Sequence, residues 1–479
     1  MSKTNNKDLL ILSLISIIFT FGVLLRLYNI NYDDFWIDEI FSFWVSDPKV
    51  SIMESYQRNN ASEGFPFLFN FFMKILYKIF GYETYLARYV LALFGIFSII
   101  SVGYLAKILK NNNSFVLVIF LMSFNVFLIR YSQEARAYSL VFFLTSLTLI
   151  FFCKTILSYN KGNISYRNLI LFTIFQIITI LSYPLIIIIF FSIILYSLVF
   201  FNKIKEINKP LLFSLLTILF FLFLYLPFYF NNTFADSSWI QHPNLKFYSN
   251  FYFSKFFGSR ILGLIHITLL LFLIIKFKKN FIKYSDLKLL FLLIFILSYI
   301  LPIIYGYIFQ PILHQRYIIF IIIPIILLLS LLIFEIENIK LKFFFIFVLT
   351  ISTIGNNFTE TNFKQFYNKR PYFKPEISNA FNIIEQSKHK SFSFDKDLYY
   401  SKNIPPKAIR NYLFKLLEEK KWKIQHIDPE LRINIKYLWV FCTKKLIGLK
   451  CINPKYKEQF KILDSKNIKN INIKIIKFE

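Results

Sequence analysis

Acid, cysteine and soluble-protein polarity are what this chain is short of. Only 27 of its 479 residues are Asp or Glu, against 55 Lys or Arg, for a net charge of +28. A basic surplus marks a nucleic-acid binder when the cations gather in one stripe. Here the lysines fall between apolar segments and in the C-terminal tail, so no nucleic-acid partner is expected. The three cysteines have no metal-ligand spacing. Cys153 lies in an apolar segment and reads as core, and the sequence leaves open whether Cys442 and Cys451 pair. The first apolar stretch, Leu9 to Leu25, has no small-residue cleavage site, so it reads as a retained membrane helix and not a removed signal peptide. Internal repeats and long disordered tracts are absent.

What fills the chain instead is apolar: 56% hydrophobic and 20% aromatic residues, with a mean hydropathy of +0.53. That composition is an integral membrane protein's. A membrane helix takes roughly 20 mostly apolar residues, and eleven segments reach or approach that length: 9–27, 84–109, 114–130, 137–157, 168–183, 185–202, 210–230, 259–275, 287–306, 317–334 and 341–355. Pro66 to Phe80 is a twelfth candidate, but Lys74 and Lys78 sit four apart on its apolar face, which fits an amphipathic surface helix better.

Short cytoplasmic loops collect Lys and Arg. If Pro66 to Phe80 does not cross, alternate loops hold Lys107 and Lys110; Lys154, Lys161 and Arg167; Lys203, Lys205 and Lys209; Lys276 to Lys288; and Lys340 and Lys342. The expectation is a multi-pass protein of the plasma (inner) membrane, N-terminus cytoplasmic. Five polar stretches then meet at the opposite face: the acidic stretch after the first helix, RYSQEARAY, the loop 231–258, HQRY and the tail.

The scarce acid is concentrated in Tyr32 to Asp47, YDDFWIDEIFSFWVSD, among Trp36, Trp44 and several Phe residues. Trp and Tyr favour the membrane–water boundary, and carboxylates held there tend to have raised pKa values and can act as bases. A solvated loop with an aromatic anchor is the other reading. Asp38 and Glu39 are adjacent, so they point in different directions and take different jobs. Asp33 and Asp34 read as helix-start or surface residues. Glu63 is either a helix N-terminal acid favoured by the dipole or part of the site.

Arg88, and Arg130, Glu134 and Arg136 in RYSQEARAY, stand close to hydrocarbon, where charges are paired or functional. Glu134 pairing with an arginine is one reading; guanidinium groups holding a lipid phosphate is the other. Arg316 and Tyr317, in HQRY, join this set. His242, in SSWIQHP, is either structural or a metal ligand or proton carrier, and Tyr183 with Pro184 forms a short outer turn.

From about Asn356 the tail becomes polar. Its pattern predicts a strand near Ser391 to Asp395, a helix near Pro406 to Trp422, a strand near Lys436 to Thr443 and a last strand from Ile471 to Phe478. The expected architecture is an α-helical polytopic membrane domain, 1–355, with a first outer loop 28–83 carrying the acidic motif, then a small extracytoplasmic α/β domain, 356–479.

FWIDEIFS, EGFPFLFNFFMKILYKIFGYETYLARYVLALFG, RYSQEARAYSL, SSWIQHP and PILHQRYIIFIIIP, in that order, resemble the GT-C superfamily of integral membrane glycosyltransferases. The nearest group is that of protein O-mannosyltransferases and the aminoarabinose transferase acting on lipid A. The resemblance covers residues 1 to about 355. It implies that the catalytic carboxylate is Asp38, with Glu39 beside it, and that Glu134 is the acid of the SQEAR-like motif. Where the family has an Asp-x-His-Pro-Pro-like stretch, this chain has Glu63-Gly64-Phe65-Pro66-Phe67, and a family histidine matching Ser182 to Tyr183 is also missing. A divalent metal ion is therefore left open as a cofactor.

The implied reaction moves a sugar from a polyprenyl-phosphate carrier to an acceptor hydroxyl of a glycan, lipid or protein on the extracytoplasmic face, with inversion. Asp38 is the expected base. Arg88, Arg136, Arg316 and Tyr317 are expected at the donor phosphate, and Glu39, Glu63, Glu134 and His242 at the acceptor or a metal. A transporter or lipid flippase is the rival; its charges belong near the bilayer midplane in broken helices, whereas these acids cluster at one face. A third class, an envelope-binding structural or sensory protein, needs no acid cluster.

Overall fold

The computed structural model describes residues 6–31, 33–62, 66–163, 165–201, 208–232, 240–278, 287–357, 377–394, 406–426, 437–443, 460–468 and 471–478. The chain divides into two compact units, Met1–Tyr28 with Gly64–Phe69 and Tyr89–Phe363, and Asn29–Glu63 with Asn70–Arg88 and Lys364–Glu479.

The first unit is helical. All eleven apolar segments read from the sequence contain helix. Among the described residues, Thr84–Leu109, Tyr138–Tyr159, Lys209–Leu226 and Lys288–Ile308 are each long and apolar enough to cross a membrane alone, and shorter apolar helices join them. The side chains of Ile322–Ile333, IIPIILLLSLLI, are all buried. A helix apolar on every side satisfies no surface and belongs at the centre of a bundle, and it does so here, with Ser330 hydrogen-bonded to Ser114 at 2.7 Å. Asn6–Leu27 instead turns Leu12, Ile17, Phe21 and Leu24 outward, as a lipid-facing helix does.

The segment expected as one span, 114–130, is two helices, Asn112–Ser123 and Val126–Ser132, bent by 62°. No Pro or Gly causes this break. Asn125 does: its side-chain oxygen accepts from Leu128 N at 2.9 Å and so starts the second helix, while its amide donates to Phe256 O at 3.0 Å.

The second unit gathers Ile37–Val45, Ile52–Ser62, most of Leu68–Phe80 and the opening turns of Thr84–Leu109 with the C-terminal residues. Helices Ile377–Gln386 and Pro406–Lys420 accompany a five-stranded sheet ordered β2-β1-β3-β5-β4, where β1 is Ser391–Phe394, β2 Gln425–His426, β3 Tyr437–Thr443, β4 Phe460–Ile468 and β5 Ile471–Phe478. β1 pairs parallel with β2 and β3, and β5 antiparallel with β3 and β4. Leu438, Trp439 and Val440 of central β3 are all buried, the pattern of a strand covered on both faces. Edge strand β4 carries a bulge between Ile462 and Asp464, together with the exposed Lys466, features that discourage edge-to-edge pairing. Lys74, expected on a surface, is buried; its ammonium donates to the carbonyls of Asp47 and of Val50, the latter at 2.7 Å. A lysine capping loop carbonyls this way holds the Asp47–Val50 turn in place.

Candidate active-site residues

The acidic stretch folds into a short extended lead and the helix Ile37–Val45. Trp36 stands at the N-cap, and Glu39, at N3, reaches back so that Oε2 accepts from Trp36 N at 3.1 Å. That return contact turns Glu39 inward, to 0% exposure. Asp38 sits in the same first turn and is partly exposed. The two neighbouring acids therefore divide, one buried and one facing out.

Arg88 holds the buried one. Its Nε donates to Glu39 Oε1 and its Nη2 to Glu39 Oε2, both at 3.1 Å. Its Nη1 reaches Asp33 Oδ1 at 2.9 Å and the carbonyls of Asp33 and Ile30 at 2.7 and 3.2 Å, and Nη2 also reaches Asp34 O at 3.3 Å. The guanidinium lies 4.9 Å from the Phe35 ring centroid. At 1% exposure with its donors taken by this loop, Arg88 is an anchor of the acidic turn, not a group facing a donor phosphate as expected. Glu39, with both oxygens committed, is likewise placed as Arg88's counter-ion and not at an acceptor or metal.

Asp34 turns the other way. Its carboxylate accepts from Ser378 N at 2.7 Å and from the Ser378 hydroxyl, capping the helix Ile377–Gln386. Burial raises the Asp34 carboxyl above its ordinary range, against the Ser378 hydrogen bonds and the Arg88 charge. Phe35 N donates to the Tyr412 hydroxyl at 2.8 Å and the two rings stack at 5.2 Å. Helix Pro406–Lys420 thus braces the acidic turn, and Asp47 is tied to it by Asn411 Nδ2 at 3.2 Å.

A second cluster lies in the first unit. RYSQEARAY forms a tight turn between Val126–Ser132 and Tyr138–Tyr159. Glu134 is 3% exposed. Its Oε1 is 3.7 Å from Arg130 Nε, its carbonyl accepts from Arg136 N at 2.8 Å, and among the described residues its buried Oε2 accepts no hydrogen bond. A buried carboxylate oxygen left open is costly.

HQRY brings cations to the same unit. Arg316 lies over the Tyr317 ring at 5.2 Å, with Nη2 3.5 Å from the Tyr317 hydroxyl. His314 Nδ1 accepts from Arg316 N at 3.4 Å. Burial, then the charges of Arg316, Lys255 and Arg130, holds the His314 imidazole down at about 3. Tyr183 is 1% exposed. Tyr131, Tyr138 and Tyr183 follow one another edge to face at 5.1 and 6.3 Å. Two of these cations thus lie over tyrosine rings, Arg130 over Tyr131 at 5.7 Å and Arg316 over Tyr317 at 5.2 Å.

Sequence reasoning passed over Lys255 and His314 and gave Tyr183 no more than a contact. The signal for His314 was its place beside Arg316 in HQRY. Glu63 lies outside the described residues. His242 is exposed and stacks on Tyr307 at 5.2 Å. No group of three His, Cys, Asp or Glu side chains suited to a metal ion occurs among the described residues.

No family model and no curated protein matches this sequence. Solved structures do. ArnT from Cupriavidus metallidurans in the apo state is 9% identical with a TM-score of 0.61, covering 98% of each chain. The same protein bound to undecaprenyl phosphate is 10% identical with a TM-score of 0.55 and the same coverage. The oligosaccharyltransferase of Archaeoglobus fulgidus, in complex with zinc and sulfate, is 12% identical with a TM-score of 0.51, over 89% of this chain and 67% of that one. The chain therefore shares the fold of these proteins: an α-helical polytopic membrane protein with a small sheet at its C-terminus.

Proposed function

We propose that this protein is a membrane glycosyltransferase that moves a sugar from a polyprenyl-phosphate carrier to an acceptor hydroxyl. The observation that carries this reading is the match over 98% of both chains to a structure that holds undecaprenyl phosphate. In a multi-pass protein whose lysine-rich loops alternate, the acidic stretch falls on the extracytoplasmic face. Nucleotide sugars are not supplied there, and a lipid-borne donor fits.

Asp38 is assigned as the base. Of the acidic pair it is the one left partly exposed, while Arg88 keeps Glu39 buried and fixes the helix start that carries Asp38. As the acceptor oxygen bonds to the anomeric carbon, the bond from that carbon to the phosphate oxygen breaks, the acceptor proton passes to Asp38, and the polyprenyl phosphate leaves with the electron pair. Attack from the side opposite the phosphate inverts the centre. Arg136 and Arg316, with Tyr317, are assigned to the phosphate, where fixed cations stabilise the charge that grows as the bond breaks. Lys255 and Arg130 add to that cationic field. The open Oε2 of Glu134 is assigned to an incoming substrate hydroxyl.

The test is transfer by purified protein in nanodiscs from radiolabelled polyprenyl-phosphate sugars to envelope acceptors. Labelled product supports the enzyme. Flip-flop of the carrier with no product supports a flippase and overturns the assignment.

A further inference from the structure

Two buried polar side chains outside the assigned chemistry tie the RYSQEARAY turn to the helix ends around it. Arg26, in the last turn of Asn6–Leu27, is 1% exposed, and among the described residues no carboxylate pairs with it. Its Nη2 donates to Met122 O at 2.9 Å, and its Nη1 to Ser123 O at 3.2 Å and Gly22 O at 3.0 Å. Met122 and Ser123 are the last residues of Asn112–Ser123, whose carbonyls lose their helical donors at the 62° break. A cation is favoured at that negative helix end.

The return contact comes from Gln133. Its Nε2 lies 3.3, 3.1 and 3.2 Å from the carbonyls of Leu25, Arg26 and Tyr28, the C-terminal end of the very helix that supplies Arg26. Arg26 thus caps the end of Asn112–Ser123, and Gln133, which follows the second helix of the broken span, caps the end of Asn6–Leu27. Small residues permit the approach: a Cβ at Gly22 would lie 2.7 Å from Ser123 Oγ, and one at Gly95 2.5 Å from Ser132 Cβ and 3.5 Å from Arg26 Nε. Gln133 is bonded directly to Glu134, whose carbonyl in turn takes Arg136 N.

We infer that Gln133 and Arg26 are positioning residues: this clamp holds the Arg130–Arg136 turn against the broken span and so presents Glu134 and Arg136 to substrate. The inference rests on the glycosyltransferase reading, because it assigns Glu134 and Arg136 to that site.

Full-length protein in nanodiscs tests it with wild type, Gln133→Leu, which keeps bulk without the donor, and Arg26→Lys, which keeps charge but loses the fork. Hydrogen exchange is followed over 124–137 and over Ile322–Ile333, and undecaprenyl phosphate affinity is titrated. Gln133→Leu is expected to speed exchange in 124–137 about tenfold, from the loss of a buried donor. The same variant is expected to weaken undecaprenyl phosphate about tenfold through misplacement of the turn, with Ile322–Ile333 unchanged and Arg26→Lys intermediate on both readouts. Unchanged affinity in Gln133→Leu overturns the inference, whether or not exchange rises. Faster exchange throughout the chain also overturns it, since that is general destabilisation. Wild type that fails to bind undecaprenyl phosphate overturns the functional reading itself, an outcome distinct from binding that the variant leaves intact.

Discussion

Arg88 grips both carboxylate oxygens of Glu39, through Nε and Nη2 at 3.1 Å each, with the pair 1% and 0% exposed. Breaking such a pair strands a buried charge, at a cost of about 3–5 kcal/mol. Arg88→Met and Glu39→Gln are therefore expected to lower the thermal unfolding midpoint sharply in detergent, whereas Arg88→Met with Glu39→Met recovers part of the loss. Equal loss in the double variant would mean that the pair does not act as a unit.

Asp34 and Ser378 join the acidic turn to the start of Ile377–Gln386. Ser378→Gly keeps the backbone donor and removes the hydroxyl; Asp34→Ala removes the cap entirely. Loss of a cap costs roughly 0.5–2 kcal/mol, so Asp34→Ala is expected to destabilise more than Ser378→Gly. Equal midpoints for the two variants would contradict the cap.

Much of the fold was legible because it is written in apolar length. Eleven runs of hydrocarbon-like residues became helices, and the β-branched alternation of Ile471 to Phe478 became β5. β4 was not legible, because its charged edge-strand composition lacks the apolar alternation that marks a half-buried strand. The break at Asn125 was hidden too, since an asparagine cap inside an apolar run leaves the mean hydropathy untouched. At the site, residue types pointed to Asp38, Glu134, Arg136 and Arg316 as groups worth following. They did not show that Arg88 and Glu39 are consumed by each other, or that Arg26 and Gln133 cap distant helix ends. Such pairings join residues 49 and 96 to 108 positions apart, beyond any local pattern.

His314 titrates at about 3 in the folded chain, below its ordinary 6.5. The unfolded chain therefore takes up a proton that the folded one refuses between those values, and stability falls as pH drops from 6.5 towards 3. The slope from this group approaches ~1.4 kcal/mol per pH unit within that window. Unfolding midpoints measured at pH 7 and pH 5 are expected to diverge for wild type and to draw together in His314→Asn. An unchanged gap in the variant would assign the effect to other groups.

Gly95 faces Ser132, with room for no Cβ: one would lie 2.5 Å from Ser132 Cβ. Overpacking of this kind costs about 1–3 kcal/mol. Gly95→Ala is expected to lower the unfolding midpoint, and Ser132→Gly added to it to restore most of the loss. No rescue would place the strain elsewhere.

Asp38 as the base is the central claim, and envelope glycans report on it directly. Mass spectrometry compares cells lacking this protein after complementation with wild type or with Asp38→Asn. Removing a positioned general base costs about 100- to 10,000-fold. The account predicts that wild type restores one sugar to an envelope glycan while Asp38→Asn, present in the membrane at wild-type level, leaves it missing. Full restoration by Asp38→Asn would contradict it.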